Sequence, residues 1–273
     1  MRTAVAANGR EADVATTTVG PRDATRDLIL ALADSKRLLG TRYAGWILGA
    51  PELEAGIACA SMAQDEWGHA RLLYALLKEF GDDVARIEHG REPAEYASMD
   101  ALDDAPADWP GLVALNLLAD GALSVQVEAF RDSGHAPLKQ RVGKLLEEER
   151  FHAAHGSAWF RRLALGGDAT CDALAAAVLH VLPAVLAWFG PDSDRARALV
   201  DAGVADAGGS ALRARFIDWI SPLFAQTGIT AGDVGASAFD AFDEARRRAN
   251  PAGPDPAVIA QVRGDRNRVF LMD

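Results

Sequence analysis

The sequence predicts an all-α helix bundle, and three observations carry that expectation. Apolar residues recur at helical spacing along most of the chain, the composition is Ala-rich with few aromatics, and strand-like alternation is nearly absent. Hydrophobic residues at 49% and charged residues at 25% are those of an ordinary globular protein, and 273 residues allow one large domain with a sizeable core.

The elements follow in order. Residues 1–22 are small, polar and aperiodic and end in Gly20-Pro21, which predicts a disordered leader before a helical domain over 23–249. From Asp23 to about Gly49, Leu28, Ile29, Leu32, Leu39, Tyr43 and Ile47 share the stripe of a first helix. Pro51 suits a first turn, and the period then holds to Gly81 in a second. A connection rich in Asp, Pro and Ala (82–109) is long enough to cross the molecule. Pro110 opens a third apolar stretch to about Asp132, and Ser133-Gly134-His135 turns the chain. Ala136 to Leu165 makes a fourth long helix before Gly166-Gly167. Four long helices joined short, long, short fit a ferritin-like bundle better than a simple up-and-down one. Additional C-terminal helices are expected at about 170–188, 193–205, 210–226 and 237–249, packed on the bundle. Residues 250–273 read as an extended tail whose Val269-Phe270-Leu271-Met272 end could dock on the body or on a partner.

A net charge of −11 with no block of Lys and Arg argues against a nucleic-acid or anionic-membrane surface. Cys59 and Cys171 lie in helical patterns, which disfavours a disulfide framework and makes a reducing, cytoplasmic compartment the expectation. The first 20 residues lack an apolar signal core, and no run approaches the roughly eighteen apolar residues of a spanning helix, so no membrane segment is expected.

The chemistry lies in a repeated motif. Glu66-Trp67-Gly68-His69 falls in the second long helix and Glu149-Arg150-Phe151-His152 in the fourth. Residues three apart share a helix face, so each Glu-x-x-His offers a carboxylate and an imidazole to one metal ion, and each carboxylate can bridge to a second. Glu66 shares its stripe with Cys59, Met62, Leu73 and Leu77, and Glu149 with Val142, Leu145 and Phe160, so both motifs face the core. Two buried Glu-His pairs need compensation, which a bound cation supplies; structural histidine-carboxylate hydrogen bonds are the plainer alternative. Asp120 lies on the inward stripe of Val113, Leu117, Leu123 and Val127 and is a third carboxylate ligand by this reading. Glu128, about eighty degrees round that helix, is a weaker one. His155 points away from Glu149. The first helix offers Lys36, and no acid, on its inward stripe. It either snorkels to water or sets its amine beside the metal site as a catalytic residue, and the pattern leaves both open.

These residues resemble the family of phenylacetyl-CoA 1,2-epoxidase subunits, the ferritin-like catalytic and structural chains of bacterial phenylacetate degradation. The resemblance runs from about residue 25 to 235. It is carried by Ala50-Pro51-Glu52-Leu53, Ala63-Gln64-Asp65-Glu66-Trp67-Gly68-His69, Asp120-Gly121-Ala122, Glu148-Glu149-Arg150-Phe151-His152, Trp188-Phe189-Gly190-Pro191 and the Leu212-to-Gly228 stretch. It implies that positions matching Glu66, His69, Asp120, Glu149 and His152 bind two irons that activate O2 for epoxidation of an aromatic CoA thioester. Retention of five such positions places the chain nearer the catalytic type, whereas the structural type has lost most of them. Lys36 aligns with the helix-one glutamate that completes the family's set. Electrons would come from a separate reductase, since no Gly-rich nucleotide fingerprint or iron-sulfur cysteine pattern is present. The partners implied are a small-molecule substrate, O2 and a second ferritin-like chain in a homo- or hetero-oligomer. A non-catalytic subunit with relic ligands, or an iron store, is the competing expectation.

Overall fold

The computed structural model describes residues 19–229, 239 and 241–270. Its helices are α1 (Pro21–Ala44), α2 (Leu53–Leu76), the short α3 (Val84–His89), α4 (Trp109–Glu128), α5 (Ala136–Ala164), α6 (Asp168–Trp188), α7 (Asp194–Asp201), α8 (Gly209–Thr227) and α9 (Pro256–Arg263). No strand forms among the described residues, and the fold is an all-α ferritin-like bundle.

Each long helix follows from its sequence. Pro21 sits in the first turn of α1, and Gly45 closes the helix by donating its N–H to Thr41. The buried residues of α2 run Cys59, Met62, Glu66, His69, Leu73, and those of α5 run Val142, Leu145, Glu149, His152, Gly156, Phe160. Both proceed in steps of three or four, so the acids and imidazoles occupy positions that a simple amphipathic helix gives to leucine. α1 packs along α2, α2 against α5, and α5 against α4. Burial of the large apolar side chains on these faces, at about 1.5–3 kcal/mol each, supplies the stability against which a polar centre must be set.

The structure departs from the expected elements in several places. The first helix starts at Pro21, and residues 1–18 of the expected leader lie outside the described residues. The 82–109 connection carries α3 and two single 3-10 turns. It is tied down by Arg91, whose guanidinium donates to Asp34 of α1, an acid that also accepts from the Tyr74 hydroxyl. α4 is α-helical only at its ends, because Leu115–Asp120 forms a fully buried π-helical turn.

The helix expected at 237–249 does not form among the described residues there. An isolated bridge pairs Asp243 with Arg248, and Arg247 takes a φ of 53° that no α-helix accommodates. The reason is the run of three arginines, which reach different neighbours: Arg246 donates to the carbonyl of Tyr96, Arg247 to Trp188 and Phe189, and Arg248 to Ser98. The following segment is partly helical, since α9 lies against α1 and the Arg37 guanidinium donates to Val262. Val269 and Phe270 remain exposed and do not dock on the body; Leu271 and Met272 lie outside the described residues.

Among the described residues two helices are long and apolar enough to cross a membrane, contrary to the expectation from the sequence: α4, with 78% of its most apolar stretch buried, and α6, with 33%. α4 is the core helix of the bundle, and α6 owes its hydropathy to leucine, alanine and valine.

Candidate metal centre

Four helices converge on one buried point. Lys36 enters from α1, Glu66 and His69 from α2, Asp120 from the π turn of α4, and Glu149 and His152 from α5; each is at most 4% exposed. The structure therefore brings together all six residues singled out in the sequence. Glu128 stays outside, exposed and paired with Arg131, and half-buried His155 forms no hydrogen bond or ion pair with the cluster among the described residues.

Lys36 does not snorkel. Its Nζ donates to Glu66 Oε1 at 3.0 Å, to Asp120 Oδ1 at 2.8 Å and to Glu149 Oε1. Burial alone would lower its pKa, but the three carboxylates outweigh that and hold the ammonium well above its ordinary range. Burial pushes Glu66 up, and Asp120 and Glu149 add to that against Lys36, so its carboxyl rises to about 8. Glu149 goes the other way: burial raises it, but Lys36, His152 and His69 hold it well below the usual carboxylate range.

Both imidazoles present Nδ1 to the centre. His152 Nδ1 lies 3.0 Å from Asp120 Oδ2 and 3.3 Å from Glu66 Oε1, and His69 Nδ1 lies 3.2 Å from Glu149 Oε1 but off hydrogen-bonding geometry. Their orientation comes from a crossed pair of outer carboxylates. His69 Nε2 of α2 is 2.7 Å from Glu148 of α5, and His152 Nε2 of α5 is 3.3 Å from Asp65 of α2. A carboxylate on the far nitrogen fixes the ring and turns the other nitrogen inward, as it does for metal-ligating histidines generally. Burial lowers both imidazoles, but the surrounding carboxylates reverse this and both are held above their ordinary value.

Sequence reasoning missed Asp65 and Glu148, although a signal was there: an acid directly precedes each motif glutamate. It also missed Asn116, Ser124 and the role of Tyr43. The Tyr43 hydroxyl donates to Asp120 Oδ2 at 2.8 Å and accepts from Asn116 Nδ2 at 2.8 Å, while Ser124 donates to Glu149 Oε2 at 3.2 Å. A tyrosine and an amide on apolar stripes look like core packing until coordinates place them beside a charge.

One donor atom from each of Glu66, Asp120, Glu149 and His152 lies within 4.8 Å of the others, a spacing that can hold one metal ion. A cleft of about 320 Å³ reaches Asp120 and Glu149 from the surface, with Trp219 on its wall and Arg131 and Arg150 beside it. A larger cleft of about 550 Å³ lies between α1, α2 and the α9 segment, but it touches none of the cluster residues.

An all-α bundle that gathers three carboxylates and two imidazoles from three helices at a buried point carries a possible metal-binding cluster between its helices. The chain is a member of the family described as phenylacetic acid catabolic protein, whose sequence model matches residues 10–241. It is 28% identical over 196 residues to one of the subunits of 1,2-phenylacetyl-CoA epoxidase of Escherichia coli K12, covering 69% of this chain and 62% of the relative. It is 26% identical over 144 residues to another subunit of the same epoxidase, covering 51% of this chain and 57% of that relative. The aligned stretch thus spans about three-fifths of each relative's length.

Proposed function

We propose that this chain is the metal-holding subunit of an oxygenase of the phenylacetyl-CoA epoxidase kind, with iron as the metal and an aromatic or acyl-CoA-type substrate. The observation that carries the reading is the buried donor set of Glu66, Asp120, Glu149 and His152 at the foot of an open cleft. The donor chemistry fits a divalent ion: oxygen and imidazole ligands, oriented from behind by Asp65 and Glu148, with Glu66 Oε2 and His69 Nδ1 buried and unpartnered.

A bound iron would supply the redox chemistry that makes O2 reactive, with electrons delivered by a separate reductase. The chain's own residues do the rest. The carboxylates and imidazoles hold the ion, with the apolar core of the bundle packed behind them. Tyr43 stays a neutral phenol, because burial and then Asp120 raise its pKa well above the ordinary value, so its proton remains on the phenol oxygen, directed at Asp120. Arg150 offers a positive charge at the mouth of the cleft to an anionic carrier group on the substrate, whereas Arg131 there is already paired with Glu128, and Trp219 gives the cleft an aromatic wall.

Loading the purified chain anaerobically with Fe(II) and following metal content and O2 uptake tests the reading. Bound iron that is lost in Glu66→Ala, together with O2 uptake dependent on a reductant, supports it; an iron-loaded protein inert to O2 defeats it. Lys36 favours a second reading, a non-catalytic subunit that steadies a catalytic ferritin-like chain, because its ammonium already engages one oxygen of each of the three carboxylates. Stable co-purification with such a chain, and oxygenase activity unaffected by Glu66→Ala, would select it.

A further inference from the structure

We infer that the Lys36 side chain is a built-in substitute for a second metal ion, so that this centre holds one divalent cation beside a fixed ammonium instead of a metal pair. The inference rests on the reading of the cluster as a metal centre and goes further, to its stoichiometry.

Geometry gives the first argument. The ammonium has three N–H donors, and it spends them on Glu66 Oε1, Asp120 Oδ1 and Glu149 Oε1, one oxygen from each carboxylate. These are the oxygens that a second ion would have to share. Lys36 is wholly buried, so displacing Nζ would leave a cation without partners in the core, a state disfavoured strongly enough to keep the amine in place. One ion uses the oxygens that Lys36 does not engage: Glu66 Oε2 is without a partner, Asp120 Oδ2 and Glu149 Oε2 face His152 Nδ1 while accepting from Tyr43 and Ser124, and that nitrogen is turned inward by Asp65.

Charge gives the second. Once a metal has displaced the protons of its ligands, three ionised carboxylates, one ammonium and two neutral imidazoles carry a formal charge of −2, and a single divalent ion cancels it. Two ions would leave an excess of two positive charges in a buried cluster, which a fourth carboxylate at position 36 would have matched and a lysine compounds. Position 36 is the one place where the centre departs from a pattern of acids and histidines, and its side chain occupies the middle of the cluster.

The test is the metal-to-chain ratio of the full-length protein, stripped with chelator, reloaded anaerobically with Mn(II) or Fe(II), desalted and measured by mass spectrometry. One ion per chain is expected, with the electron paramagnetic resonance of Mn(II)-loaded protein showing an isolated ion. In Lys36→Glu the ratio should double and the Mn(II) signal should become that of an exchange-coupled pair. Two coupled ions in the unaltered protein overturn the inference and leave the oxygenase reading standing, as does a folded Lys36→Glu protein that still takes one ion. Failure to bind any ion overturns both, while a single bound ion with no O2 reactivity defeats only the oxygenase reading. If Lys36→Glu does not fold, the ratio and spectrum of the unaltered protein decide alone, and loss of the ion in Glu149→Ala locates it at the cluster.

Discussion

Tyr43 of α1 donates its hydroxyl proton to Asp120 in the π turn of α4, across 2.8 Å, while Asn116 donates to the same hydroxyl oxygen from one turn away. The three residues form a buried relay that fixes the Asp120 carboxylate. Tyr43→Phe keeps the ring and removes the relay's middle atom, stranding Asn116 Nδ2 and weakening the hold on Asp120. A loss of about 1–3 kcal/mol in urea unfolding of the metal-free protein is expected. A loss below about 0.5 kcal/mol would mean that His152 alone satisfies Asp120 Oδ2.

Gly156 on α5 lies against the same π turn. A Cβ at that position would stand 2.5 Å from Asn116 Oδ1, and Asn116 cannot swing aside without breaking its bond to Tyr43. Gly156→Ala should therefore cost about 1–3 kcal/mol by overpacking. Its effect should shrink in the Tyr43→Phe background, where Asn116 is free to move, and a double-mutant cycle measures that coupling. Strict additivity would show that the two sites do not communicate through Asn116.

Both predictions concern a feature that the sequence conceals. The stripes of α2 and α5 were legible because each glutamate and histidine sits at a spacing that only core positions share, and the ferritin-like order of helices follows from loop lengths. The π turn was not, since Leu115-Asn116-Leu117-Leu118-Ala119-Asp120 holds no glycine or proline to announce it and reads as plain α-helix. Lys36 was half-legible: its inward position was clear, but whether a lysine stretches to water or turns to a carboxylate depends on what faces it from other helices. The arginine run at 246–248 failed for the same reason, because helical spacing says nothing about partners such as Asp103, far away in sequence.

Arg248 is the anchor of that run. Its guanidinium, fully buried, donates to Asp103 at 2.5 Å and lies 3.1 Å from Asp100, joining the segment after α8 to the connection that precedes α4. Removing one partner of a buried ion pair costs more than the pair contributes, so Arg248→Ala should lose about 3–5 kcal/mol. Limited proteolysis should then cut within 241–270 before it cuts the bundle. Cleavage no faster than in the unaltered protein would show that Arg246 and Arg247 suffice.

Cys59 and Cys171 should differ in reactivity. Cys59 is wholly buried on α2, and burial pushes its thiol up to about 11, so at pH 8 only about one molecule in a thousand carries the thiolate. Cys171, half-buried near the start of α6, has partial access to solvent. Native protein treated with iodoacetamide at pH 8 should be labelled at Cys171 first, with Cys59 labelled only on denaturation. Equal rates at the two thiols would show that α2 opens readily, contrary to the tight centre further along the same helix.

Lys36→Met provides the sharpest test of how the metal-free centre is held together. Methionine fills nearly the same volume, so packing is kept while the only ammonium among three buried carboxylates is lost. Stranding those carboxylates should destabilise the metal-free protein by about 3–5 kcal/mol, partly relieved by their taking up protons. A divalent cation should restore more stability to this variant than it adds to the unaltered chain. Ligand at a hundred times its Kd adds about 2.7 kcal/mol, and removing the ammonium lowers that Kd. Thermal unfolding with and without Mn(II) measures both effects. An equal Mn(II) shift in the two proteins would mean that lysine and metal do not compete for the same carboxylates.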